Sequence, residues 1–395
     1  MRIRVLELAE SFRSFPRPFA ATAAVPLLIP SLLEADTVRF REGREIVEVE
    51  GNVLAEDRVG TVMLEGRDGA HYFISSDALI ERKKAEKPTE PYTKLQLRAA
   101  LERELGPRFR FDQTKHYLVA YSCAPEYAQQ ASSLFERAFS VFTNYFSRRG
   151  GFRFTAPKQP LVAIICSSRE EYVKLLSKEL GPLAASTAGV YMPTTNRMYM
   201  YDALGGETAE YLRTAPKSAS APDGFALLLR EQNVSTIVHE SIHQIAYNSG
   251  FHNRHVRNPV WLVEGMATFF ETPDLDAKGG WGGVGNVNRE RLERFQQRFS
   301  SRPKDSLRRL ILDDTLFRQP DTANDAYAEA WALTYFLCKA KSKSYVEYLK
   351  ILNARPPMVE YSAEDRVRDF RTAFGKSPED VDTDFRKYMS RVMFK

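Results

Sequence analysis

His239-Glu240-Ser241-Ile242-His243 and, further on, Trp261-Leu262-Val263-Glu264-Gly265 hold the residue types best suited to chemistry in this chain. On a helix, His239 and His243 stand about one turn apart, so both imidazoles can reach one metal ion from the same face. Glu240 projects beside that face. It is placed to take a proton from a metal-activated water rather than to bind the metal. Glu264 lies in the middle of an apolar run, and buried carboxylates are rare unless paired or metal-bound. With water in the fourth position, His239, His243 and Glu264 make a three-ligand catalytic zinc set. The bland alternative, a buried helix whose two histidines are merely hydrogen-bonded, leaves Glu264 without a role.

These side chains need rigid elements to aim them. Val234, Ile237, Val238, Ile242, Ile245 and Ala246 recur at helical spacing, Asn233 or Ser235 can cap the start, and Gly250 follows as a stop. No Pro or Gly interrupts residues 232–249. A second helix is expected over Val260–Phe270, with Pro259 near its first position, where Pro is tolerated. Glu271 follows Glu264 by nearly two turns. It either accepts a hydrogen bond from the distal nitrogen of a ligand His or is an ordinary carboxylate at a helix end before Pro273. His252 and His255, in the polar stretch between the two helices, read as surface loop residues rather than extra ligands.

Two His on one helix and a Glu on the next, within HESIHQ at 239–244 and WLVEGMATFFE at 261–271, resemble the gluzincin pattern of the peptidase MA-like zinc metallopeptidases. The wider stretch from His239 to Glu271 also resembles a bacterial family of exported peptidases that carries a domain-of-unknown-function label. The resemblance runs from about residue 110 to the C-terminus. It implies a zincin-like fold, Zn2+ as cofactor, and a peptide or protein as substrate. It also implies an oxyanion-stabilising tyrosine at the start of a later apolar helix. Tyr327, which opens Tyr-Ala-Glu-Ala-Trp-Ala-Leu-Thr-Tyr-Phe-Leu, occupies that place, and a phenol there could donate to charge that develops only in the transition state. The same tyrosine could simply pack in an amphipathic helix with its hydroxyl at the surface.

The likeness to aminopeptidases stops short. Their amine-holding Gly-x-Met-x-Asn strand has no match in Ala188-Gly189-Val190-Tyr191-Met192-Pro193 or Asn196–Tyr201, and Val263 replaces the Asn that often precedes the ligand Glu. No exopeptidase assignment follows. The 189–201 segment reads as two short strands about a Pro-Thr-Thr-Asn turn. By resemblance, a strand here pairs with extended substrate. The runner-up reading is a catalytically silent, zinc-containing binding or scaffold protein of the cell envelope.

Composition sets the outer bounds. The chain has 395 residues, 43% hydrophobic and 27% charged, enough for two or three domains with sizeable cores. Net charge is +5, too balanced to point to nucleic acid. The basic run Arg289, Arg291, Arg294, Arg298, Arg302, Lys304, Arg308 and Arg309, interrupted by Glu290, Glu293 and Asp305, reads as a solvated helix face. Cys123, Cys166 and Cys338 have no metal-ligand spacing; Cys166 and Cys338 read as small buried hydrophobes, and one bridge stays open.

The expected division is a signal or anchor segment over 1–36, a small β-barrel-like module over 37–82, a linker over 83–93, a zincin-like α+β lobe over 94–288 and a helical lobe over 289–395. The apolar run at 19–33 favours export, with any membrane tether confined to the N-terminus. Glu7, Glu10 and two prolines keep a cytoplasmic location open. The β module reads as an adaptor or as a packing appendage. Mobile loops are expected at 214–224, near the cleft mouth, and at 279–285; the latter lacks the strand and Lys-Ser/Thr of a phosphate cradle.

Overall fold

The computed structural model describes residues 35–84, 87–203, 224–274, 276–277 and 281–392. The expected signal or anchor run, nearly all of the 214–224 loop and the start of the 279–285 loop lie outside the described residues. Among the described residues no helix is long and apolar enough to cross a membrane. The fold is mixed α and β, with two sheets followed by a helical C-terminal part.

The first sheet is formed by β1 (Ala35–Glu42), β2 (Glu45–Glu56), β3 (Val62–Gly66), β4 (His71–Ile74) and β5 (Leu79–Lys84). Every pairing in it is antiparallel, in the order β4-β3-β2-β1-β5. It buries a small core of its own: Val38, Phe40, Val53, Val62, Leu64 and Ile74. The expected barrel is therefore an open sheet. Closure would need β4 to bond to β5. Instead the outer edge of β4 turns to another partner, the His71 amide donating to Thr194 O at 2.6 Å. Strand β5 has the sequence Leu-Ile-Glu-Arg-Lys-Lys, which carries too little alternation to announce a strand.

The second sheet takes β6 (Arg110–Gln113), β7 (Tyr117–Tyr121), β8 (Leu161–Cys166), β9 (Gly189–Met192) and β10 (Arg197–Tyr201), in the order β6-β7-β8-β10-β9. Its three central strands run parallel, and β6 and β9 are antiparallel edges. Successive strand residues point to opposite faces. Tyr117, Val119, Leu161, Ala163 and Ile165 thus enter one core with α2 (Pro125–Arg149), while Leu118, Ala120, Val162, Ile164 and Cys166 enter another with α1 (Lys94–Leu105) and α3 (Arg169–Leu180). Burial on both faces is why these strands read as unbroken apolar runs. Local signals agree: Thr93 and Gln96 form a capping box on α1, and Ser168 caps α3.

The metal-motif helix is α4 (Gly224–Asn248), followed by α5 (Val260–Phe270). Next come α6 (Arg289–Arg298), α7 (Ser306–Leu312), α8 (Pro320–Ala340), α9 (Ser342–Asn353), α10 (Ala363–Phe374) and α11 (Pro378–Met389). α4 starts earlier than the sequence reading placed it, so Asn233 and Ser235 are not caps. Asn233 Oδ1 instead accepts from Tyr127 Oη at 2.7 Å, and Ser235 Oγ donates to Glu271 O at 3.2 Å. All three cysteines are free and buried.

The basic run is largely the expected solvated face, with Arg289, Arg298, Lys304, Arg308 and Arg309 exposed, but part of it is tied down. Arg294 and Arg298 pair with Asp325, and Arg302 is buried against Glu329 and Asp382. Arg294, Arg298 and Arg302 thus tie α6 and the segment after it to α8 and α11.

Candidate metal centre

α4 is held rigidly. Ile237, Val238, Ile242, Ile245 and Ala246 are buried, and Gln244 Nε2 donates to Val162 O at 2.9 Å, fastening the helix to the central strand β8. Asn248 and Asn196 exchange side-chain hydrogen bonds of 2.7 and 2.9 Å, fixing the β9–β10 turn to the same helix. α5 is buried from Trp261 to Phe270. Its Gly265 has a specific reason to be glycine: a Cβ there would lie 2.6 Å from Ala330 O and would also strike the Thr334 side chain. That absence lets α8 press against α5 and carries Tyr327 toward Glu264.

The structure brings His239, His243 and Glu264 together, with donor atoms all within 4.8 Å of one another. The two Nε2 atoms face each other at 3.0 Å. Glu264 Oε2 lies 3.5 Å from His239 Nε2, and Glu264 Oε1 lies 3.7 Å from His243 Nε2. Zinc bonds of about 2.0–2.1 Å at tetrahedral angles would set ligand atoms about 3.3 Å apart, so the triangle fits that ion. Glu264 Oε1 is buried without a hydrogen-bond partner, the kind of orphaned acceptor a cation would satisfy.

Charge explains the rest of the geometry. Burial opposes a charged His239 ring, but the Glu264 and Glu271 carboxylates outweigh it and push His239 up to about 10. Burial, aided by His239, pushes His243 down to about 3 against the pull of Glu264. Glu264 is held below its ordinary value: burial opposes its charge, and His243, His239 and a hydrogen bond with Tyr327 prevail. The two carboxylates thus favour positive charge at His239.

The other expected residues gather around this triangle. Glu271 Oε2 lies 2.7 Å from His239 Nδ1, the distal nitrogen, so an Nδ1–H donated to it leaves Nε2 free to face the triangle. Glu240 Oε2 accepts from the Tyr191 amide at 2.7 Å, which places it against edge strand β9. Gly189 makes that contact possible, since a Cβ there would lie 2.9 Å from Thr236 Cγ2 and 3.2 Å from Glu240 Cγ. Tyr327 is buried, reaches Glu264, and has Phe317 edge-on to its ring.

His252 is corrected, while His255 is the loop residue expected. His252 is 1% exposed, packs against Tyr247 and Phe251, and is pushed down to about 3 by burial and by His243. His255 is half-buried and faces Glu65 of the first sheet. The loop that carries them is irregular but covered, because Arg254 within it reaches Glu65 Oε1 at 2.7 Å and Gly69 O at 2.6 Å.

Sequence reasoning missed two supports. Asn288 Nδ2 donates to Glu271 Oε1 at 3.2 Å, and the Tyr191 amide holds Glu240. Asn288 carried a readable sign as the N-cap of α6. A main-chain amide carries none.

A family model described as "Protein of unknown function (DUF1570)" matches residues 233–359, a span that contains His239, Glu240, His243, Glu264, Glu271 and Tyr327. No curated protein matches the chain. The candidate centre therefore lies wholly within the segment that is similar to this family of unknown function.

Proposed function

We propose that the protein is a zinc-dependent metallopeptidase of the gluzincin type, with a zincin-like lobe built on the second sheet and the helices that follow. The observation that carries the reading is the convergence of His239 Nε2, His243 Nε2 and the Glu264 carboxylate, with Glu271 behind His239. Those three side chains would hold the ion. Zinc in such a site supplies Lewis acidity toward a water and toward a peptide carbonyl.

The remaining chemistry belongs to the chain. Glu240, held by the Tyr191 amide, accepts the proton of the attacking water and delivers it to the leaving amine. The Tyr327 hydroxyl donates toward the carbonyl oxygen as it gains charge. Glu271 keeps His239 in the tautomer and orientation that ligation needs. Edge strand β9, beside Glu240, is the place for an extended peptide to add as a further strand.

The test pairs metal content with cleavage of a broad peptide library, for the wild type and Glu240→Gln. Both forms should hold one zinc per chain, and the substitution should lower turnover by about 100- to 10,000-fold. Wild-type protein without zinc overturns the reading. Zinc in both forms and cleavage by neither favours the scaffold protein.

A further inference from the structure

The first turn of α6 is tied to the candidate centre from behind. Asn288 bonds to Glu271 through Nδ2, and its Oδ1 accepts from the Arg291 amide at 3.2 Å. The Arg291 side chain then lies over the Tyr327 ring, with Cζ 5.3 Å from the ring centroid. The hydroxyl end of that ring meets Glu264. Tyr327 thus touches both the Arg291 guanidinium and Glu264 of the triangle.

Arg291 differs from four arginines of the same run. Arg294 and Arg298 have Asp325, Arg302 has Glu329 and Asp382, and Arg308 has Glu379. Arg291 is half-buried, its Nε is shut off from solvent without a hydrogen-bond partner, and it forms no ion pair with a carboxylate among the described residues. The nearby acids are committed elsewhere. Glu264 faces the two imidazoles and Tyr327; Glu271 divides its oxygens between His239 and Asn288. The face of Tyr327 offsets part of the cost of this cation, but an aromatic face takes no N–H···O bond from the guanidinium. A planar guanidinium in this state is matched by an incoming carboxylate, which accepts two parallel bonds.

We propose that Arg291 is a substrate-binding residue that receives a carboxylate of the substrate beside the candidate metal centre. The carboxylate is either the free C-terminus of a peptide or an acidic side chain near the bond to be cut. The two sources have different consequences. The first directs the site to chain ends, the second to internal acidic sequences. The inference rests on the peptidase reading for what the ligand is and for the inactive zinc form used as host, but its readout is binding, not cleavage.

The test is titration calorimetry of zinc-loaded full-length Glu240→Gln protein, in which turnover is suppressed. The probes are N-acetylated peptides of one sequence in three forms: free acid, amide, and amide with one Glu in place of Gln. One of the two carboxylate forms should bind roughly 10- to 100-fold more tightly than the neutral amide. Adding Arg291→Gln should abolish that advantage, while Arg291→Lys, which keeps the charge but not the fork, should retain part of it. Thermal melting of both double variants checks that they fold. An advantage for the free acid identifies the C-terminal carboxylate; one for the Glu peptide identifies the side chain. Equal binding of all three probes, no binding of any, or an advantage that survives Arg291→Gln overturns the inference. A carboxylate preference in protein that never cleaves peptides would sink the peptidase reading and leave the Arg291 site standing.

Discussion

Among the described residues, two places bring two imidazoles and one carboxylate within 4.8 Å: His239, His243 and Glu264 in one, Glu65, His71 and His255 in the other. Distance alone does not tell them apart; their surroundings do. The first triangle is ringed by acids, and the ring of His239, which Glu264 and Glu271 push up to about 10, is the group that answers them. The second already contains its cations. Arg254 lies 2.7 Å from Glu65 Oε1 and Lys158 2.9 Å from Glu65 Oε2. Burial opposes charge on Glu65, but His255, His71, Arg254 and Lys158 hold it well below the usual carboxylate range. His71 is pushed down to about 3 by burial and by Arg254. A divalent ion entering there would meet two cations and one anion. The first cluster is the better candidate for a metal; the second is an ion-pair network that joins the first sheet to the loop between α4 and α5, although His71 Nε2 is buried without a hydrogen bond among the described residues.

Substitutions at the two carboxylates should separate these roles most sharply. Glu264→Gln should weaken zinc binding by roughly a hundredfold or more, on dividing a typical zinc binding free energy among its ligands. Glu65→Gln should leave the stoichiometry untouched. Chelator competition measures both, and zinc lost from the Glu65 variant would erase the distinction. The Glu65 change should instead appear in stability. Its side chain is 11% exposed, and its loss leaves Arg254 buried without its counter-ion. The expected cost is about 3–5 kcal/mol in urea unfolding. A cost below about 1 kcal/mol, the range of exposed pairs, would mean the network is ornamental.

The contrast also shows what can be read from a sequence. His239, Glu240 and His243 lie on one helix, and their spacing is local, so the pattern states their geometry directly. Glu264 was legible because a carboxylate stands out in an apolar helix. Glu271 and Tyr327 needed tertiary packing, but helical period or family likeness placed them near the site. Glu65, His71 and His255 share no element and no period; they meet only because the first sheet docks through the β3–β4 turn onto Arg254 and Thr194. The missed β5 and the supposed barrel belong to the same class, since strand partners are settled by which edges find company. His252 looked like a surface residue because a covered loop and an open one are equally polar in sequence.

Smaller effects refine the comparison. Glu271→Gln keeps an acceptor for His239 Nδ1 but removes the charge behind it, and zinc affinity should fall about 10- to 100-fold. An unchanged affinity would mean that the 2.7 Å contact does not act on the metal site.

His71→Gln completes the comparison, and pH reveals its effect. Folded His71 takes its proton at about 3, against 6.5 for a free imidazole. Between those values the unfolded chain carries a proton that the folded chain lacks, so stability falls as pH drops through that window. His252 acts in the same direction and is present in both proteins. The difference between wild type and His71→Gln therefore isolates one proton, about 1.4 kcal/mol per pH unit. Urea unfolding at about pH 7, 6 and 5 should give two lines that converge on acidification, since the wild type loses this contribution and the variant has none to lose. Parallel lines would mean that His71 is as easily protonated folded as unfolded. The second cluster would then be open to solvent, not the sealed joint that distinguishes it from the first.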